Sequence, residues 1–331
     1  MYLNSVYALS MAWIYIIYLM PKKFQSQFIL ITPVVLLGTF RGSAGKDTGL
    51  YILRFENMSF EAFNWLDFSS EPIFNILIFA CKSILDKPEF FFFIHSSLLG
   101  LLFLKAVSNW DRTIVFLLLL APTFLLDGVL NGMRIGLAML VLVVAFVYGN
   151  RLLKILTIGI HFSSAIALII KLFLDKGLVR ASLYLAIFLS LILFLIPMVD
   201  FETMRFFIKL NDYSEIHTKS VYSGLSDVTI CGFLVSLFYL SRSRLDFSSY
   251  MIAIVILFLS TAVLFYMTSI SWALLRVIKI IALVLSLDGK IVNYVRGRPI
   301  VLSFTFTLGL LYSLNFLRAV YFGPGFLPYG S

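Results

Sequence analysis

The chain has 331 residues, 61% of them hydrophobic and only 13% charged, and its mean hydropathy is +0.99. A soluble domain carries about 25% charged residues, so this composition excludes one and requires helices that cross a bilayer repeatedly. The 26 Lys and Arg outnumber the 17 Asp and Glu, giving +9, an excess that in such a chain marks cytoplasmic loops and lipid headgroups rather than nucleic acid.

The first apolar run, about Tyr2–Met20, lacks a basic flank and a small-residue cleavage site and reads as a helix rather than a signal peptide. Pro21-Lys22-Lys23 ends it on the cytoplasmic side, and the second run, about Phe24–Phe40, returns to the outer face. Arg41–Ser70 is then a first outer loop, with aromatic and acidic residues alternating from Phe60 to Phe68 as in a segment lying on the membrane surface. Glu71-Pro72 opens the next helix, where a first-turn proline is tolerated and an acid suits the helix dipole. Ile73–Leu85 is short for a span and carries Lys82, so it reads as re-entrant or tilted, whereas Phe90–Phe103, with His95 and Ser96, is a full span.

Arg112–Leu126, Ile135–Tyr148, Ile155–Leu174 and Ala181–Met198 follow, and then a second polar loop, Val199–Ser226. The remaining runs are Asp227–Leu240, Tyr250–Thr268, Ser271–Leu287 and Pro299–Leu317, the last preceded by the basic stretch Lys290–Arg298. The expectation is an all-α, polytopic membrane bundle of about eleven helices, some short or re-entrant, forming a single transmembrane domain over residues 1–331 with two larger periplasmic loops. Charge placement closes only if Ile73–Leu85 and a segment around His161 fail to cross, and broken helices are tolerated only where protein or water surrounds them.

The polar residues are few enough to weigh singly. Arg41-Gly-Ser-Ala-Gly-Lys-Asp-Thr-Gly-Leu-Tyr51 packs glycines beside cations, which suits a phosphate at a membrane boundary or else is a solvated turn. Asp127, Asn131 and Arg134 are spaced i, i+4, i+7 and would share one face of a continuous helix. An arginine there marks a site or snorkels to headgroups. His161, followed by Ser163 and Ser164, is suited to proton transfer or is hydrogen-bonded in the bundle. His95 reads as packing, and Arg276 and Lys279, with Trp272, as snorkelling cations or ligand contacts. Cys81 and Cys231 form no disulfide or metal pattern, there is no P-loop or Gly-x-Ser-x-Gly elbow, and no internal repeat is visible. Neither a metal nor another cofactor is expected.

Four motifs in order, Arg41-Gly…Gly45-Lys-Asp47…Tyr51, Glu71-Pro72-Ile-Phe74, Asn131-Gly-Met-Arg134…Ala138 and His161-Phe-Ser163, resemble the EpsG-like family, which includes Wzy-type O-antigen and capsule polymerases. The resemblance covers roughly residues 28–170. The family pattern has Gln and Ala where this chain has Ile135 and Ser164. The resemblance implies an inner-membrane glycosyltransferase that joins undecaprenyl-pyrophosphate-linked repeat units at the periplasmic face into O-antigen of lipopolysaccharide or a similar polysaccharide. Donor and acceptor are then both lipid-linked glycans, with membrane lipids and a chain-length regulator protein as partners and no nucleic acid. Arg134, Arg41 and Lys46 would meet the pyrophosphate, and His161 or, second, Asp47 would take the acceptor proton. Tyr51, Glu71, Asn131 and Ser163 would hold sugar hydroxyls. The alternatives are an O-antigen ligase-like transferase and a lipid-linked oligosaccharide flippase.

Overall fold

The structure is a computed structural model that describes residues 31–42, 47–59, 71–108, 124–125, 128–161, 163–176, 225–242 and 270–322, with Leu9, Ala12, Trp13 and Ile16. All regular structure among these residues is helical. The helices are α1 Thr32–Thr39, α2 Thr48–Glu56, α3 Pro72–Ile84, α4 Pro88–Ser108, α5 Gly128–Leu130 and α6 Met133–Val147. They continue with α7 Arg151–Ile160, α8 Ser164–Lys176, α9 Leu225–Leu240, α10 Ile270–Ser286, α11 Gly289–Arg296 and α12 Pro299–Phe322. The chain divides into two compact units, Met1–Ser164 with Val295–Ser331, and Ala165–Tyr294.

In the first unit α4 is the central element, packed against α1 and α6, and α6 also lies against α7. Among the described residues α4 holds the segment, Pro88–Ala106, that is long and apolar enough to cross a membrane. By contrast α3 has 13 residues, about 20 Å at 1.5 Å per residue, against a hydrocarbon core of about 30 Å. A ring cluster fills the space between α2, α3 and α4: Phe74 meets Phe91 edge-on at 5.8 Å, Tyr51 at 6.0 Å and His95 at 6.0 Å. Leu36, Phe40, Leu152 and Ile155 are exposed while Arg41, Thr48, His95 and Ser96 are buried, a distribution that suits lipid rather than water outside. In the second unit α9 packs on α10. Lys279 lies 3.9 Å from Asp227, and Arg242 bonds Asp288, which accepts the Lys290 and Ile291 amides at the start of α11.

Turn chemistry explains the α6–α7 hairpin. Gly149 has φ +69°, the Asn150 amide reaches Ala145 O at 3.0 Å and the Gly149 amide reaches Phe146 O, the paired bonds of a Schellman ending. Asn150 then caps α7 by accepting the Leu153 amide at 3.0 Å.

Three expectations change. The run Ile155–Leu174 is not one helix: His161 adopts an extended backbone (φ −157°, ψ 123°) that separates α7 from α8. Its carbonyl accepts both the Ser164 amide at 3.0 Å and the Ser164 hydroxyl at 2.9 Å, which satisfies the break. The helical face expected to join Asn131 to Arg134 does not form, because Asn131-Gly132 is a turn between α5 and α6; Asp127 lies outside the described residues. The stretch Arg41–Tyr51 is no simple turn either, since α2 begins at Thr48. Half of the first expected outer loop, residues 43–46 and Phe60–Ser70, and most of the second, Val199–Gly224, lie outside the described residues, as do the expected spans Ala181–Met198 and Tyr250–Thr268.

Candidate active site

The site is built on breaks in helices, where backbone groups lose their partners and side chains must supply them. At the α5–α6 break, Arg41 Nη1 donates to Val129 O at 2.7 Å and Leu130 O at 3.2 Å, while Nη2 contacts Met133 Sδ at 3.1 Å. Tyr51 Oη donates to Asn131 O at 3.2 Å. His95 Nε2 lies 3.0 Å from Met133 O, which makes it the protonated nitrogen. Four carbonyls in five residues are thus satisfied by three different helices or loops. Helices α5 and α6 touch at glycine: a Cβ on Gly136 would lie 2.4 Å from Gly128 Cα, so no larger residue fits without separating them.

This scaffold delivers Arg134 from the first turn of α6. Its Nη1 donates to Glu71 Oε2, and His161 Nδ1 meets Glu71 Oε1. Glu71 has φ 59° and ψ 70°, the one positive φ outside glycine among the described residues. The ring of Pro72 disfavours a right-handed helical conformation before it. A left-handed residue without glycine costs roughly 1–2 kcal/mol, and such strain concentrates at functional sites. Glu71 stands at the N-cap position of α3, but its side chain makes no cap bond and turns to Arg134 and His161 instead. Burial in the loop ahead of α3 would raise its pKa, but the His161 hydrogen bond and the Arg134 charge outweigh that and hold it at about 2. The group is therefore a fixed anion.

On the far side of the imidazole, Ser163 Oγ lies 3.2 Å from His161 Nε2. In the neutral imidazole with Nδ1–H donating to Glu71, Nε2 is an acceptor and the Ser163 hydroxyl donates to it. Arg134 also lies over the Tyr51 ring, 5.9 Å from its centroid. The arrangement offers a partly exposed cation, an imidazole nitrogen with acceptor character and a carboxylate that orients both.

Of the residues selected from sequence, Arg134, His161, Glu71 and Ser163 come together. Arg41 does not join them. It is 0% exposed, with its guanidinium on two carbonyls and 3.5 Å from the Phe92 ring centre, so it holds the break and presents no face to a pyrophosphate. Tyr51 lies buried beneath Arg134 with its hydroxyl on a carbonyl, and Asn131 contributes that carbonyl. Asp47 sits half-buried at the start of α2, its own carbonyl accepting the Tyr51 amide at 3.1 Å. Lys46 lies outside the described residues. Two members escaped sequence reasoning: Arg54 Nη1 is 3.6 Å from Glu71 Oε2, and its Nε and Nη2 donate to Asn75 Oδ1 at 2.9 and 2.5 Å. The signal was present, since Asp47, Tyr51 and Arg54 fall at i, i+4, i+7 and Glu71 and Asn75 at i, i+4, but it requires reading α2 as a helix.

An apolar helical bundle with a buried ionic cluster at its helix breaks suits a helical membrane protein. The family model of EpsG matches residues 25–331, and the chain belongs to the EpsG family, that of Wzy-type polymerase-like proteins. No curated protein and no solved structure matches it.

Proposed function

We propose that the protein polymerises lipid-linked oligosaccharide repeat units, using undecaprenyl pyrophosphate as the leaving group, at the periplasmic face of the inner membrane. The observation that carries this reading is the meeting of Arg134 and His161 on the one carboxylate of Glu71. The acceptor hydroxyl of one unit attacks the anomeric carbon of the growing chain, the bond from that carbon to the pyrophosphate oxygen breaks, and the acceptor proton passes to His161 Nε2. Glu71 keeps Nδ1 protonated, so that Nε2 is the basic nitrogen, and stabilises the imidazolium that forms. Arg134 offers a planar fork to the pyrophosphate as negative charge develops. Ser163, which now occupies the Nε2 position, marks where the acceptor hydroxyl would stand, and it would then hold a neighbouring sugar oxygen. Asn131 and Tyr51 support the wall beneath, Lys46 assists at the diphosphate, and Asp47 is the second candidate base. Charge neutralisation by side chains supports a reaction without a metal.

The test uses purified protein in liposomes supplied with lipid-pyrophosphate-linked repeat units, with product length read on gels. His161→Ala and Arg134→Ala are each expected to lower the rate by about 10²–10⁴-fold while inserting at normal levels. Long chains made at the normal rate by either variant would overturn the proposal.

A further inference from the structure

The end of the α6–α7 hairpin remote from Arg134 and His161 gathers cations that take no part in the site. Lys105 stands in the last turn of α4, Tyr148 follows α6, and Arg151 and Lys154 open α7. The Tyr148 hydroxyl donates to Lys105 O at 3.4 Å, and the Lys105 ammonium lies 4.7 Å from the Tyr148 ring centre, so the ends of α4 and α6 are tied together. Lys105, Tyr148 and Arg151 are exposed and Lys154 is half-buried. Among the described residues neither Arg151 nor Lys154 has a carboxylate within ion-pair distance. The Lys154 ammonium stands instead 4.8 Å from the Phe146 ring centre.

Helix stability does not account for this placement. Cations favour helix C-termini, as Lys105 does, whereas Arg151 and Lys154 fall within the first four residues of α7, where the dipole opposes them. They are three apart and share a face, and the neighbouring Leu152 and Ile155 are each 65% exposed. Open apolar side chains beside open cations, with a tyrosine at the same level, mark a helix end at the boundary between acyl chains and headgroups. Anionic headgroups supply the charge that Arg151 and Lys154 do not find in the described chain. From Tyr148 back to Arg134 along α6, and from Arg151 on to His161 along α7, the rise is about 21 and 15 Å at 1.5 Å per residue. Both arms thus carry the site away from the cationic end.

We propose that Arg151 and Lys154, with Lys105 and Tyr148 beside them, form a docking surface for anionic phospholipid headgroups of the cytoplasmic leaflet, with Leu152 and Ile155 against the acyl chains. Cations concentrate on the cytoplasmic side of membrane proteins, so this contact holds the Arg134–His161 end of the hairpin toward the other leaflet. The surface does not depend on the chemistry proposed for the site, and it gives the periplasmic placement of that chemistry a physical cause.

The experiment uses the full chain with a bimane fluorophore on Leu152→Cys, in phosphatidylcholine vesicles that contain either spin-labelled phosphatidylglycerol or spin-labelled phosphatidylcholine as quencher. Cys81 and Cys231 are buried and give the background. Phosphatidylglycerol should be preferred about 10–30-fold at low salt, and less as salt is added. Arg151→Gln with Lys154→Gln should bring the two quenchers close to parity, whereas Arg151→Lys with Lys154→Arg, which keeps the charge, should retain the preference. Equal quenching in the parent chain, or a preference that survives the loss of both cations, overturns the surface. For the leaflet, Arg151→Cys should react with a membrane-impermeant maleimide in inverted vesicles and not in intact cells. Reaction in intact cells overturns the cytoplasmic assignment. A parent chain that lengthens glycans yet shows no lipid preference loses the surface and keeps the polymerase reading, and a lipid preference without chain growth does the reverse.

Discussion

Replacing Arg41 separates two readings of the same residue. Arg41→Met keeps much of the length and apolar stem but leaves Val129 O and Leu130 O without their donor. Hydrogen bonds from a charged group contribute about 1.5–3 kcal/mol each, and the 3.2 Å bond to Leu130 lies at the long end of the range. The guanidinium over Phe92 at 3.5 Å adds roughly 1–2 kcal/mol. Against these stands the desolvation of a fully buried cation, which methionine would relieve. The net loss should be about 3–5 kcal/mol, a fall on the order of 5–10 °C in the melting temperature of the detergent-solubilised protein. Arg41→Lys should recover only part, because a single ammonium cannot fork across two carbonyls. Activity should fall with stability, as α6 loses the anchor that sets Arg134. An Arg41→Met protein with unchanged melting but a raised donor KM would refute this reasoning and return Arg41 to the pyrophosphate.

Acid should act through Glu71. Its folded pKa is depressed from 4.5 to about 2, so its stabilisation is present above pH 4.5 and is lost as pH falls towards 2. Glu71→Gln should flatten that part of the melting temperature against pH profile, and equal acid loss in variant and wild type would exclude the carboxylate as the cause. Gly136→Ala places a methyl against backbone at 2.4 Å and should cost at least about 1–3 kcal/mol with loss of activity. Gly159→Ala meets Ile73 Cδ1 at 2.7 Å and Cγ1 at 2.8 Å, side-chain rather than backbone atoms, and should cost less than Gly136→Ala in the same melting assay.

Composition and run length alone determine that the chain is helical and apolar, because a bilayer leaves the backbone little other choice. Punctuation by Glu71-Pro72 and Gly149-Asn150 places the start of α3 and the end of α6 to within a few residues, since proline and glycine act locally. Arg134 and His161 stand out in sequence for a related reason: ionisable groups are costly among apolar neighbours and survive where they are partnered. The partners themselves are not legible. Arg41 and Arg134 look alike as cations beside glycines, and only packing decides that one is fully enclosed on the carbonyls of a helix break while the other, still partly exposed, reaches a buried carboxylate. Periodicity over Asp127–Arg134 assumes an unbroken helix, and the turn at Asn131-Gly132 removes that assumption. Glu71, 63 residues from Arg134 and 90 from His161, becomes the centre of the site only when three separate segments fold against one another. Ion pairing depends on distance in space, and nothing in the local sequence encodes it.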